Sequence, residues 1–157
     1  AKKHGYHAKV INSGRYVNDS MGFYVGKQTV KKILSERKNI QDSRVLVMGA
    51  TFKENVSDIR NTKVINVIRE LESFSVNVDV VDPWASSEDF MEEYGIGIKA
   101  EADENAYDAI IVAVNHKEYI GWQAADFKKY FNDDKGVFVD LKGIYRNMKE
   151  EFNYWSL

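Results

Sequence analysis

Apolar residues recur at two different spacings along this chain, and the change of spacing predicts the order of its elements. From Asn12 to about Glu36, Val17, Met21, Tyr24, Val25, Ile33 and Leu34 recur in steps of three and four, which predicts one long helix. Phe23 and Val30 lie off that stripe, so the helix is expected to be covered on more than one side. A polar stretch, Ser35 to Ser43, breaks the pattern. After it come short apolar, β-branched runs at Arg44–Met48, Val76–Val81, Tyr107–Val114 and Val137–Leu141, read as strands, the last as the final one. Ile96–Lys99 reads as a weak additional strand. Between them lie helical stretches at Thr62–Phe74, at Ser86–Tyr94 with a serine cap and Gly95 as terminator, and at Ala124–Phe131. The tail from Tyr145 to Leu157 is aromatic and charged.

Strand and helix alternate, and the run from Tyr107 to Val114 is near-continuously apolar, as strands covered on both faces are. The fold class expected is therefore α/β, a Rossmann-like and mostly parallel sheet flanked by helices, preceded by the long helix. Two regions follow: residues 1–40 as a connecting or dimerisation helix region, and 41–157 as the α/β domain proper. A helix this long more often joins domains or meets a partner subunit than stands in a small domain.

Composition narrows the possible chemistry. With 157 residues and 44% hydrophobic content the chain can bury a sizeable core. A net charge of -2 and dispersed basic residues argue against nucleic acid or an anionic membrane surface as partner. No apolar run approaches the ~20 residues of a membrane span, and the first residues lack the apolar core of a signal peptide. There is no cysteine, which excludes disulfides, thiolate-held metals and a cysteine nucleophile within these residues. His4 and His7 could share a helix face, yet no third ligand accompanies them, so no metal site is expected. A cytoplasmic setting fits these features.

The stretch from Val45 to Thr62 carries the most chemistry. It reads as a buried strand, a long polar loop and a helix start, with Lys53, Asp58 and Arg60 on the loop. Open α/β sheets bind ligands beyond the carboxyl ends of their strands, where helix amino-termini and loop amides converge. A lysine there meets phosphate or carboxylate as a point charge and an arginine meets it by a two-pronged bond. The bland alternative has Asp58 capping the helix, with Lys53 and Arg60 solvated. The strand-to-helix turn carries only Gly49, followed by Thr51 and Phe52, so it lacks the glycines a dinucleotide pyrophosphate requires. Asp82 then reads as a cap or turn residue ahead of Pro83. Arg15 and Asn18, three apart, share a helix face and point either at one polar partner or at a neighbouring helix. Asp140 and Lys142 end the last expected strand on the edge that also carries Lys53. His116, after the Tyr107–Val114 run, is either a ligand contact or a structural hydrogen-bonder.

Three motifs together, Gly14-Arg15-x-x-Asn18-Asp19-x-Met21, Gly49-x-Thr51-Phe52-Lys53-Glu54-Asn55-x-x-Asp58-x-Arg60-Asn61 and Val139-Asp140-Leu141-Lys142-Gly143-Ile144, resemble the UDP-glucose/GDP-mannose dehydrogenase family. The wording is most similar to its bacterial UDP-N-acetylhexosamine 6-dehydrogenases. The resemblance implies that this is the carboxyl-terminal part of an NAD-dependent enzyme, which oxidises the C6 alcohol of a UDP-sugar to a carboxylate by two hydride transfers for polysaccharide precursors. An amino-terminal NAD-binding domain and a catalytic cysteine would lie upstream, and a start at Ala1 without methionine fits a piece of a longer protein. It implies further that Lys53 and Lys142 contact the sugar nucleotide, that Arg15 and Asn18 lie on the central helix near the substrate-binding cleft or the dimer interface, that Arg60 reaches the NAD pyrophosphate, and that the protein is a homodimer or higher oligomer. Lys142 stands where some members carry an arginine. These residues alone, without nucleophile or glycine-rich turn, are expected to be catalytically inactive. The competing expectations are a non-enzymatic α/β interaction or regulatory module with a vestigial cleft, and an independent NAD(P)-binding domain, which the glycine-poor turn disfavours.

Overall fold

The computed structural model describes residues 20–36 and 38–157; Arg15 and Asn18 lie outside them, as does the amino-terminal part of the expected long helix. Helix α1 (residues 20–35) is followed by a single 3-10 turn and then by strand β1 (Arg44–Met48), helix α2 (Val64–Ser73), strand β2 (Asn77–Val81) and helix α3 (Ser87–Tyr94). Strand β3 (Ala109–Val112), short helices α4 (Lys117–Ile120) and α5 (Ala124–Lys128), strand β4 (Val137–Asp140), a 3-10 segment and strand β5 (Asn153–Ser156) complete it.

The five strands form one sheet in the order β2-β1-β3-β4-β5, and each pairing is parallel. Alternation of side chains then sorts the core into two layers. Val45 and Val47 of β1, Ala109 and Ile111 of β3 and Val137 and Val139 of β4 face α1, α2 and α3. Leu46, Met48, Ile110, Val112 and Phe138 face an aromatic layer from α4, α5 and the tail. There Phe127, Phe138 and Tyr145 meet edge to face with centroids 4.8 to 5.7 Å apart.

The expected boundaries hold within a few residues for β1, α2, β2, α3 and β4, and α3 has the anticipated ends. The Ser86 side chain accepts from Asp89 N, and Gly95 takes the left-handed conformation with φ 72°. Four expectations need correction. Ile96–Lys99 forms no strand; one backbone bond, from Lys99 N to Val80 O, and the Lys99 ammonium on Asp79 tie it to the β2 edge. The last strand is β5 rather than β4. Every residue of β5 is only partly buried, so as an isolated stretch it lacks the periodicity that marks a strand. On α1 the buried residues are Gly22, Val25, Gly26, Thr29, Val30 and Ile33, whereas Tyr24 and Leu34 are exposed. Lastly, Asp58 does not cap α2: the capping position is Lys63, which makes no side-chain cap bond.

Two glycines bring α1 against α2. A Cβ on Gly22 would lie 2.6 Å from Asn66 Cβ and 2.9 Å from Lys63 O, and one on Gly26 would lie 2.7 Å from Glu70 Cβ. Positions four apart share a helix face, so the pair forms a smooth strip on which α2 rests. Val25, Val30 and Ile33 thereby join the same core as Val64, Val67 and Ile68.

Candidate functional site

Consecutive strands leave β1 in opposite directions, β2 to one side and β3 to the other. The loops that follow β1 and β3 therefore part company, and a crevice opens between them at the carboxyl edge, which is where open α/β sheets take their ligands. A cleft of about 280 Å³ lies there. Thr51, Phe52, Lys53 and Glu54 come from the loop after β1, Ala113 and Val114 from the end of β3, and Leu141 and Lys142 from the end of β4. Met21, Gly22 and Val25 of α1 and Val64 and Val67 of α2 form the apolar wall.

Lys53 and Lys142, distant in sequence, thus line one cleft. Their electrostatic states differ. Lys142 is paired with Glu54, and this bond, opposed by partial burial, holds the Glu54 carboxyl below its usual range. Lys53 makes no ion pair among the described residues, and its side chain is exposed at the lip. An uncompensated ammonium beside apolar walls is a receptor for an anion attached to an apolar or ring-shaped group.

Arg60 is not brought into this cleft. Its guanidinium bonds the Asp58 carboxylate at 3.0 Å, its side chain is 79% exposed, and the depression it lines also holds Asp89, Glu92 and Glu93. The Arg60 bond keeps the Asp58 carboxyl below its ordinary range. Asp140, by contrast, is fully buried, accepting from Tyr145 N at 2.9 Å and from the Tyr154 hydroxyl. It is a core tether, and only Lys142 of that pair faces the cleft.

The loop bearing Lys53 is shaped by a buried array under it. Gly49 starts the loop with φ 96°; a Cβ there would lie 2.6 Å from Val114 Cβ and 2.8 Å from that residue's backbone N and O. Ala50 N donates to Asp82 Oδ2 at 2.6 Å, while Trp84 N and Ala85 N donate to Asp82 Oδ1. His116, wholly buried, places Nε2 2.9 Å from Asp82 Oδ2. Burial raises the Asp82 carboxyl's pKa, but the bonds from His116 and the three backbone amides outweigh it, so the group sits below the ordinary carboxylate range. Asp82 is thus a turn residue, as expected, and His116 is the structural hydrogen-bonder of its two readings. The sequence contained Asp82 and His116 as separate features. Their pairing across 34 residues is a tertiary fact, with no spacing to signal it.

The fold and the cleft together define an open, doubly wound α/β ligand-binding domain, all-parallel, with cationic residues at its switch point. The chain belongs to the UDP-glucose/GDP-mannose dehydrogenase family: residues 46–147 match the family's UDP binding domain. It is 46% identical over 151 residues to the UDP-N-acetyl-D-glucosamine 6-dehydrogenase of Pseudomonas aeruginosa, an alignment covering 96% of this chain and 36% of that protein. With the enzyme of the same name from Salmonella typhi it shares 44% over 140 residues, 89% of this chain and 33% of the relative. Among solved structures, the NDP-N-acetyl-D-galactosaminuronic acid dehydrogenase of Methanosarcina mazei Go1 superposes with a TM-score of 0.78 at 25% identity, over 90% of this chain and 30% of that one. The chain therefore spans about a third of the length of these relatives.

Proposed function

We propose that this chain is the sugar-nucleotide-holding part of an NAD-dependent UDP-sugar 6-dehydrogenase, acting on a UDP-N-acetylhexosamine or UDP-glucose. The parent enzyme oxidises the C6 alcohol to a carboxylate in two hydride transfers, supplying acidic sugars for polysaccharides in the cytoplasm. The observation that carries the reading is the unpaired Lys53 ammonium on the lip of an apolar cleft at the sheet's switch point. In this reading a diphosphate lies against Lys53, with the Lys142–Glu54 pair as the second polar edge, and the base or sugar rests on the wall of Met21, Val25, Val64 and Leu157.

The described residues do not fit the dinucleotide itself. The turn after β1 has one glycine, and that glycine is packed against Val114 rather than open to a pyrophosphate. The NAD platform and the cysteine nucleophile are accordingly assigned to the rest of the parent protein, with Arg60 reaching the cofactor from across the inter-domain cleft. This chain alone binds and orients; it does not oxidise. The reading also includes pairing of two copies through α1, whose Phe23, Tyr24 and Leu34 remain exposed. No helix among the described residues is long and apolar enough to cross a membrane.

Titration calorimetry with UDP and with UDP-N-acetylglucosamine tests this. Lys53→Ala should weaken binding by at least roughly tenfold, the worth of one charge-assisted phosphate contact. Equal affinity in the mutant, or no uptake by the unmutated chain, would overturn the assignment.

A further inference from the structure

We infer that His116 is the positioning residue of the Lys53 loop, acting through its Nδ1 as acceptor for the Asn55 amide; the part of this claim that concerns ligand affinity rests on the proposed role of Lys53. Asn55 N donates to His116 Nδ1 at 3.0 Å, so Nδ1 carries no proton. The Thr51 hydroxyl donates its one proton to Lys53 O at 2.9 Å, so its oxygen can only accept from His116 Nε2, 3.2 Å away. Asp82 Oδ2, 2.9 Å from the same nitrogen, is also an acceptor. Three independent partners therefore assign one tautomer: neutral imidazole with its proton on Nε2.

In that tautomer the ring grips the loop on both sides of Lys53 and Glu54. Thr51, held by Nε2–H, fixes the Lys53 carbonyl, and Asn55, held by Nδ1, fixes the backbone after Glu54. Lys117 N closes the clasp by donating to Asn55 Oδ1 at 2.7 Å. Asn55 sits at φ 59°, the left-handed conformation that asparagine adopts more readily than other non-glycine residues. The anchor is rigid in turn. His116 is fully buried, flanked by Trp84 and Tyr119 with centroids 6.2 and 6.1 Å away, and Asp82 is tied by three backbone amides. The result places the Lys53 and Glu54 side chains at the cleft and turns the long connection between β1 and α2 (residues 49–63) into a fixed lip.

The test compares His116→Asn with His116→Leu in this chain. Asparagine keeps an acceptor oxygen at the position of Nδ1 and removes the donor shared by Asp82 and Thr51; leucine fills the space and offers neither acceptor nor donor. Both should melt lower than wild type. His116→Asn should keep slow amide exchange at Asn55 and UDP affinity within about twofold, whereas His116→Leu should speed that exchange and weaken UDP by roughly tenfold each. In the unmutated chain, long-range 15N spectra should show Nε2 protonated and Nδ1 bare. Three results would overturn the inference: a proton on Nδ1, unchanged Asn55 exchange in His116→Leu, or affinity falling in both variants in step with melting temperature. If the unmutated chain takes up no UDP, the cleft reading fails, while Asn55 exchange still decides for or against His116.

Discussion

Replacing Gly22 by alanine sets two ordinary helix effects against each other. By intrinsic propensity the change should stabilise α1 by about 1 kcal/mol, since alanine loses less backbone entropy. The packing predicts the reverse. The new Cβ would sit 2.6 Å from Asn66 Cβ and 2.9 Å from Lys63 O, where carbon contacts ordinarily settle near 3.5–4.0 Å. Neither neighbour can swing away, because one is a backbone carbonyl and the other is the first side-chain carbon of a helix. So α1 has to retreat by about 1 Å, loosening Val25, Val30 and Ile33 against α2 at an overpacking cost of about 1–3 kcal/mol. Taken at the middle of that range, the expected net is a loss of about 1 kcal/mol, read as a fall of about 2–4 °C in melting temperature. Gly26→Ala should cost somewhat less, since only one fixed atom, Glu70 Cβ at 2.7 Å, is that close, while its carbonyl neighbour, Val67 O, is 3.2 Å away and Glu70 Cγ can rotate. Gly121→Ala, with nothing within 4 Å, is the neutral control. Urea and thermal melts followed by circular dichroism give the ranking. Should Gly22→Ala be as stable as wild type or more so, the close approach of the two helices is not what holds α1 in place.

Other substitutions probe the edge of the sheet. The Asp82 carboxyl titrates lower in the folded chain than in the unfolded one, so it adds stability that is fully present above about pH 4 and is lost as pH falls through the folded value. Asp82→Asn should therefore lower stability at neutral pH and flatten its dependence on pH below about 4, which urea melts across that range will show. Gly49→Ala forces a Cβ into Val114 at φ 96° and should cost more than about 3 kcal/mol; a folded chain of near-normal stability would refute the contact.

Much of the architecture was legible because it depends on local patterning. A run such as Tyr107 to Val114, apolar at every position but Asp108, has few outcomes other than a strand covered on both faces, and alternation with helices then implies parallel order. Ser86 and Gly95 announce the ends of α3 through capping chemistry that is local as well. Strand β5 stayed hidden because its half-buried pattern has meaning only beside β4. Gly22 and Gly26 look like two weak points in a helix until α2 is laid against them.

The linear order of residues could say that Lys53 and Lys142 sit after strands, because a strand's end is a local property. That the two share a cleft follows only from β3 lying between β1 and β4, which brings the ends of 48 and 140 to neighbouring edges of one sheet. Charge compensation was equally out of reach: Glu54 and Asp58 are both acids on one loop, yet Glu54 pairs with Lys142 across 88 residues while Asp58 turns to Arg60. Such pairings depend on distances of a few ångströms between segments that sequence leaves unrelated, and those distances exist only once the sheet has assembled.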